Sequence, residues 1–432
     1  MKQKMLFIII LLLTLTEVIY AQSKIKVIKA GKLIDVVNGI VLTNQIILIE
    51  NDKIVSIRSN VPIPKDAEVI DLSKATVLPG LMDCHAHVTF QPGDNYYEDI
   101  FRRTPIDYAV VAHIYAKKTL EAGFTMIRDV GADALIDVSL RNAINEKLIS
   151  GPRMLVSTFI LSPTGGHGDL SGFNPSIDWK GNKDYTGVAD GVDEIRKRVR
   201  NNIKWGADWI KFAATAGVLS EEESVGAPQY SLEEMKAIVE EANRWGKKVA
   251  AHAHGAEGAK LAIQAGVTSI EHGSLIDDET IQMMKEKGTW LVSDIYNDDY
   301  ILSEFAKKGY PEKIIEKERM IGRLQRENFQ KAVKAGVKIA YGTDSGVYPH
   351  GWNGKQFFYM VKYGLTPMQA IQSATINAAD LMNWKDRTGS LTEGKLADII
   401  AVETNPLDDI KILESVKFVM KDGVVFKNEF IK

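Results

Sequence analysis

Over residues 24–70 short β-rich runs alternate with polar breaks. Lys26-Val27-Ile28, Ile46-Ile47-Leu48-Ile49 and Ile54-Val55-Ser56-Ile57 are separated by Gly, Asn and Asp turn signals, the pattern of antiparallel strands rather than helices. The far end of the chain repeats it: residues 397–402 and 416–420 are strand-like, and a Lys421-Asp422-Gly423 turn leads into Val424-Val425-Phe426. Residues 22–76 and 388–432 are therefore expected to form one small composite β-sandwich domain.

Between residues 77 and 387 the pattern changes. Strand-like runs such as Thr125-Met126-Ile127, Trp209-Ile210-Lys211-Phe212, Lys248-Val249-Ala250-Ala251, Ser269-Ile270-Glu271, Thr289-Trp290-Leu291-Val292 and Lys338-Ile339-Ala340-Tyr341 each follow a helix-like stretch. The helices tend to run out at a glycine, as at Ala122-Gly123, Trp205-Gly206, Trp245-Gly246, Ala265-Gly266 and Ala335-Gly336, where a glycine cap precedes the next strand. Repeated strand-then-helix order, with both sheet faces covered, implies parallel strands joined by crossover helices. The fold class predicted is α/β: a (β/α)8 TIM-type barrel over residues 77–387. A doubly wound open sheet is the alternative.

Composition narrows what such a fold does. The 432 residues are 45% hydrophobic and 25% charged, ordinary globular usage, and 53 basic against 56 acidic side chains leave no surplus to hold a polyanion, which excludes nucleic acid as a partner class. The first residues carry Lys2 and Lys4, an apolar run from Met5 to Leu13 and a small residue at Ala21. This is the layout of a secretory signal peptide over residues 1–21, so the mature protein is expected to be exported, periplasmic or secreted, without stable membrane insertion. The alternative is an anchor, but Thr14, Thr16 and Glu17 break the run well short of the roughly 20 apolar residues a span needs. With Cys84 the only cysteine, an exported chain has no internal disulfide to rely on. Cys84 itself reads as a small buried hydrophobe rather than a thiol ligand.

Polar residues fall where this fold gathers its chemistry. His85, Lys211, His252, His272 and Asp344 each lie at the downstream end of a strand-like run, the end at which barrel enzymes build their sites. In Asp83-Cys84-His85-Ala86-His87 the imidazoles are two residues apart, so an extended strand points both to one face, and neutral imidazole suits zinc. Alone, such a pair is a weak signal. Four imidazoles and a carboxylate at one barrel mouth are costly to bury without a partner, and a metal centre satisfies them together. Asp129 also ends a strand but reads as structural, and Ser231-Leu232-Glu233-Glu234 reads as a helix N-cap with an acidic first turn.

In this order, with the Pro79-Gly80 turn ahead of them and Gly394-Lys395-Leu396-Ala397-Asp398 behind, these residues resemble the amidohydrolase superfamily, and within it the imidazolonepropionase-like and prolidase-like exported members. The resemblance spans essentially the whole mature chain. It implies two divalent metal ions, zinc being the expected identity, with His85 and His87 on the first, His252 and His272 on the second, and Lys211 bridging both as a carbamate. An ammonium has no lone pair with which to ligate a cation, whereas a carboxylated lysine offers two anionic oxygens; the alternative is a lysine paired with a barrel carboxylate. Asp344 would ligate the first metal and shuttle protons for the hydrolytic water. His167, in Gly165-Gly166-His167-Gly168-Asp169, would hydrogen-bond the polarised carbonyl or oxyanion, and His254 and Tyr230 would contact substrate. For these three a surface or supporting role is equally open. His113 reads as packing or surface, and His350, in a loop after Asp344, as a rim contact.

The function expected is hydrolysis of an amide in a small carboxylate-bearing substrate, a dipeptide such as Xaa-Pro or an N-acyl amino acid. Gly-Gly-His-Gly, Gln-Tyr-Ser and His-Ala-His-Gly pieces like those of prolidase-like relatives favour a peptidase. A cyclic amide, a lactone or a phosphotriester would be activated by the same metal pair and stays open, as does a homo-oligomer. A non-catalytic zinc-binding protein would have no use for Asp344 poised as a proton shuttle.

Overall fold

The computed structural model describes residues 25–431 other than 92, 95 and 170–185. The leader expected over residues 1–21 lies outside them, and among the described residues no helix is long and apolar enough to cross a membrane.

Fourteen strands are described. In chain order they are β1 (Ile25–Asp35), β2 (Ile40–Glu50), β3 (Lys53–Arg58), β4 (Glu68–Pro79), β5 (Leu81–Ala86), β6 (Phe124–Asp129), β7 (Arg153–Val156), β8 (Trp209–Ala213), β9 (Lys248–Gly255), β10 (Ser269–Leu275), β11 (Trp290–Val292), β12 (Ile399–Val402), β13 (Phe418–Lys421) and β14 (Val424–Asn428).

Both ends of the chain meet in one seven-stranded sheet of order β14-β13-β12-β4-β1-β2-β3. The β1–β2 hairpin turns where the carboxylate of Asp35 accepts the backbone N–H groups of Val37 (3.0 Å) and Asn38 (3.1 Å), an Asx turn written into the local sequence. Ile28, Ile49, Ile70, Ile399, Phe418 and Met420 belong to one buried cluster, so alternate residues from both chain ends share a core. The expected boundary at residue 76 is overrun: β4 continues to Pro79 because β12 pairs with it from Val402↔Thr76 to Ile399↔Pro79.

The remaining strands pair in parallel. β5, β6 and β7 make one sheet and β8 to β11 a second. Beyond β7, Leu161 bridges Phe212 of β8; on the other side Leu291 of β11 bridges Ile339, and Ala86 of β5 bridges Ser345. Cys84 N donates to Tyr341 O at 2.8 Å and Asp344 N to His85 O at 2.8 Å, so hydrogen bonding joins the two sheets along both pairs of edges. The stretch 338–341 serves through these contacts without becoming a regular strand.

Amphipathic helices cover this arrangement. The glycines expected to stop them do so in left-handed conformation, Gly266 at φ 95°, Gly336 at φ 79° and Gly123 at φ 98° among them. Ser231 caps the helix Leu232–Arg244, with Glu234 returning a bond to the Ser231 backbone. The largest apolar cluster joins helix faces, as at Ile238, Ala259, Phe329 and Ile371, to outward-facing strand residues such as Ile210, Val249 and Leu291.

Candidate metal centre

The imidazoles of His85, His87, His252, His254 and His272 and the carboxylate of Asp344 gather at the downstream ends of β5, β9 and β10 and the segment after Tyr341. Three sets of ligand atoms lie within 4.8 Å of one another: His252, His254 and His272; His85, His87 and Asp344; and His272, Asp294 and Asp344. The sets share His272 and Asp344, so they form one continuous cluster. His85 Nε2 and His87 Nε2 are each 3.4 Å from Asp344 Oδ1.

Partners on the outer ring nitrogens decide how the imidazoles present themselves. His85 Nδ1 meets Glu271 Oε2 at 2.9 Å, His87 Nδ1 meets Gly131 O at 2.8 Å, and His272 Nδ1 meets Asp294 Oδ1 at 2.9 Å. Each partner can only accept, which places the proton on Nδ1 and leaves the Nε2 lone pair for the cluster. Burial holds His87 down at about 4 and puts His252 and His254 well below the ordinary imidazole range, which favours the neutral, ligating form. His85 differs. Burial and Lys211 push it down, but Asp344 and Glu271 on its two nitrogens push it further up.

Whether this cluster fits metal ions is answered by His252. Its Nε2 is buried with no hydrogen-bond partner, an arrangement too costly to keep unless something ligates it. A centre of imidazole nitrogens and carboxylate oxygens satisfies that atom and matches the donor set divalent ions take.

Lys211 stands in the middle of β8 with 2% of its surface exposed and, among the described residues, no hydrogen bond or ion pair to its amine. Burial lowers it to about 8, against the upward pull of Glu271 and Asp344. The lysine–carboxylate pairing offered as an alternative is therefore not formed. Asp344 adopts φ 54° and His272 φ 68°, left-handed conformations rare for such residues, and both turn their side chains into the cluster.

A sequence profile of the amidohydrolase family matches residues 76–426. The chain belongs to the amidohydrolase family. This amidohydrolase is 35% identical over 431 residues to ochratoxinase of Aspergillus niger, a match covering 94% of the chain and 87% of that protein. In structure it is similar to a Xaa-Pro dipeptidase with methionine bound in its active site, at TM-score 0.89 and 40% identity, covering 94% of this chain and all of that one. A prolidase complexed with N-methylphosphonate-L-proline superposes at TM-score 0.87 and 31% identity, with the same coverage.

The amidohydrolase places the remaining expected residues as follows. His167 stacks on His252 with ring centroids 4.1 Å apart; its Nδ1 is 2.8 Å from Ser220 Oγ and its backbone N–H donates to Gln229 Oε1 at 2.9 Å. A Cβ at Gly217 would collide with the His167 ring, so only glycine lets the imidazole lie there. His254 lies within the ligand-atom cluster itself, Nδ1 2.8 Å from Ser274 Oγ. Tyr230 is buried: its ring packs in the core against Phe212 and its hydroxyl donates to Ala189 O at 3.0 Å. His350 is no rim residue, being buried with Nε2 on Phe90 O and Nδ1 on Ser345 Oγ. His113 is at the surface, Cys84 is buried, and Asp129 accepts the backbone N–H groups of Val88 and Gly131.

Sequence reasoning missed the residues beneath the cluster. Arg128 is fully buried, donating to both oxygens of Glu271 (2.8 and 3.0 Å), to Cys84 O (2.5 Å) and to Ser269 Oγ (3.1 Å), with its guanidinium 4.6 Å from the Trp209 ring. Burial raises Glu271, yet Arg128 and His85 more than offset it and hold the carboxyl well below its ordinary range. Asp294 accepts from Gln325 (2.8 Å) and Asn297 (2.6 Å) while anchoring His272. Asp294 follows the strand Trp290–Val292, and a polar residue at a strand end is the signal that singles out the residues of the cluster.

Proposed function

We propose that this amidohydrolase hydrolyses the amide bond of a small carboxylate-bearing substrate, a Xaa-Pro dipeptide first among them, at a binuclear zinc centre, after export from the cytoplasm. The observation that carries the reading is the convergence of His85, His87, His252, His272 and Asp344 on one centre, with ligand atoms within 4.8 Å of one another in each set. Similarity to a Xaa-Pro dipeptidase and to a prolidase supports the peptide substrate. The parallel pairing that joins both sheet edges supports a (β/α)8 barrel with a β-sandwich beside it.

His85 and His87 would hold one ion with Asp344, and His252 and His272 the other. Lys211, as its carbamate, would be a further ligand to them; its burial in mid-strand without a hydrogen-bond acceptor supports that reading. When bound, such a pair of ions polarises a carbonyl and brings the pKa of water from near 16 toward ~7.

The chain's own groups do the rest. Burial pushes Asp344 up, but the imidazoles of His85, His87 and His272 hold it far below the carboxylate range, so it is ionised; as a carboxylate beside the ions it would take a proton from the attacking water and return it to the leaving nitrogen. His167, lowered to about 3 by burial, stays neutral. The Ser220 hydroxyl has two acceptors in reach, His167 Nδ1 at 2.8 Å and Gly217 O at 3.3 Å; donated along the shorter contact, its proton leaves that of His167 on Nε2, ready for a developing oxyanion.

A panel of Xaa-Pro, Xaa-Arg and N-acyl amino acids, assayed with zinc-loaded enzyme and with His85→Ala, tests the reading. Turnover of Xaa-Pro that disappears with the bound metal in His85→Ala is the expected result. Bound metal with no turnover of any amide would refute it.

A further inference from the structure

The helix Glu312–Ala335 lays one face across the downstream ends of β10 and β11. Asn328 Nδ2 donates to Ser274 O at 3.0 Å and Gln325 Nε2 to Asp294 Oδ1 at 2.8 Å, and Gly322 is pressed so closely on Asp298 that a side chain there would collide with its carboxylate. Glu318 lies one turn before Gly322 on the same buried face, at a wall where the charges of Asp298 and Asp294 act on it.

Glu318 is 4% exposed and, among the described residues, forms no hydrogen bond or ion pair. Cations beside it are committed elsewhere. Arg326 binds Asp298 (2.9 Å), Asp299 (2.7 Å) and Ile295 O (3.0 Å), and Lys317 binds Gly217 O (3.0 Å) and Ser220 O (2.7 Å). Asn297 gives its amide hydrogens to Asp294 Oδ2 (2.6 Å) and Asp344 Oδ2 (3.4 Å), which leaves its Oδ1 buried and unpartnered. Once ionised, Glu318 joins Asn297 Oδ1 as a second acceptor in this wall, and the cations nearest to them are already paired.

A buried carboxyl kept without a partner is unfavourable, so its partner comes from outside the chain. Burial and the charges of Asp298 and Asp294 push Glu318 well above its ordinary range, a penalty that a bound cation relieves. An ammonium carries three donors and no acceptor, the complement of this wall. In a dipeptide the α-ammonium lies two bonds from the scissile carbonyl carbon, and Asn297 spans from this wall to Asp344.

We infer that Glu318 and Asn297 Oδ1 bind an ammonium group on the acyl side of the scissile amide, the α-amine of the N-terminal residue. This rests on the amide-hydrolase reading above and adds that the enzyme selects free-amine substrates over acylated ones.

The test compares Ala-Pro, N-propanoyl-proline and N-acetyl-Lys-Pro as substrates of zinc-loaded wild type and Glu318→Gln, with metal content measured in both and calorimetric binding of L-alanine against propanoate. Wild type should favour Ala-Pro over N-propanoyl-proline by about 10- to 100-fold in kcat/KM, the range expected of a hydrogen bond to a charged group, and Glu318→Gln should bring the ratio toward one. A preference for N-acetyl-Lys-Pro that Glu318→Gln abolishes keeps ammonium recognition and moves its source to the side chain. Equal rates for Ala-Pro and N-propanoyl-proline in wild type, which needs no variant to fold, overturn the inference and leave the hydrolase reading intact. Loss of a metal ion in Glu318→Gln overturns it too. If no substrate is cleaved but L-alanine binds more tightly than propanoate, and through Glu318, the hydrolase reading fails and the ammonium site stands.

Discussion

Replacing Arg128 with methionine isolates the charge pair beneath the metal cluster. The guanidinium and the Glu271 carboxylate are both fully buried, and the methionine side chain fills much of the space over Trp209 without carrying charge. Removing one partner of such a pair strands the other as a buried charge, at a typical cost of about 3–5 kcal/mol. For roughly 400 ordered residues, with an unfolding entropy of about 2 cal/mol/K per residue, that corresponds to a fall in apparent Tm of about 4–6 °C. Glu271→Gln in the same background removes the stranded charge, so the double variant Arg128→Met/Glu271→Gln should be more stable than the sum of the single losses by at least about 1.5 kcal/mol. Thermal unfolding of all four proteins, with bound metal quantified in each, measures the coupling. Additive losses would show that the two groups do not form an interacting pair, and the account of how His85 is held would fall with it.

Three further outcomes follow from the geometry. Lys211→Ala should lose metal and activity, with partial rescue by short carboxylic acids that supply the missing oxygens; full activity without added acid would remove the bridging role. His167→Ala should lower kcat by roughly 10²–10³ with little change in KM, because the interaction forms only as negative charge develops; a change confined to KM would make His167 a ground-state contact. Asp137 is fully buried, and burial raises it to about 6 against the pull of hydrogen bonds from Thr158 and Val138. Its folded value exceeds its unfolded one, so its favourable contribution is complete below about pH 4 and is lost as pH rises toward 6. The stability difference between wild type and Asp137→Asn, followed by urea unfolding, should then shift against wild type over that window by on the order of 2 kcal/mol, and a flat difference would contradict the assignment.

The strand-end imidazoles were legible because a polar residue closing an apolar run has few reasons to be there, and five such residues in order leave fewer still. Lys211 was legible for a different reason: in mid-strand between Ile210 and Phe212 a lysine cannot reach water. What supports the site was not. Glu271 stands next to His272, and nothing local says that it crosses to His85, 186 residues away, or meets Arg128, which no motif singles out. Glu318 sits in the run Glu316-Lys317-Glu318-Arg319, which reads as a solvated helix face; only the approach of that helix to Asp298 at Gly322 buries it. For Tyr230 a motif fixes where the residue falls in the chain, while the direction of its hydroxyl is settled by Ala189, 41 residues upstream.

The seven-stranded sheet carries a consequence for biosynthesis. β4 lies between β1, which precedes it in the chain, and β12, which follows β4 by some 320 residues, and Lys26 hydrogen-bonds the carbonyl of Gly423 across a separation of 397 residues. On the ribosome the early strands must wait, with one edge open, through the whole synthesis of the intervening catalytic region. Their exposed edge is a target for mispairing during that interval, and closure of this sheet is a non-local, slow event of the kind that holders of nascent chains shield.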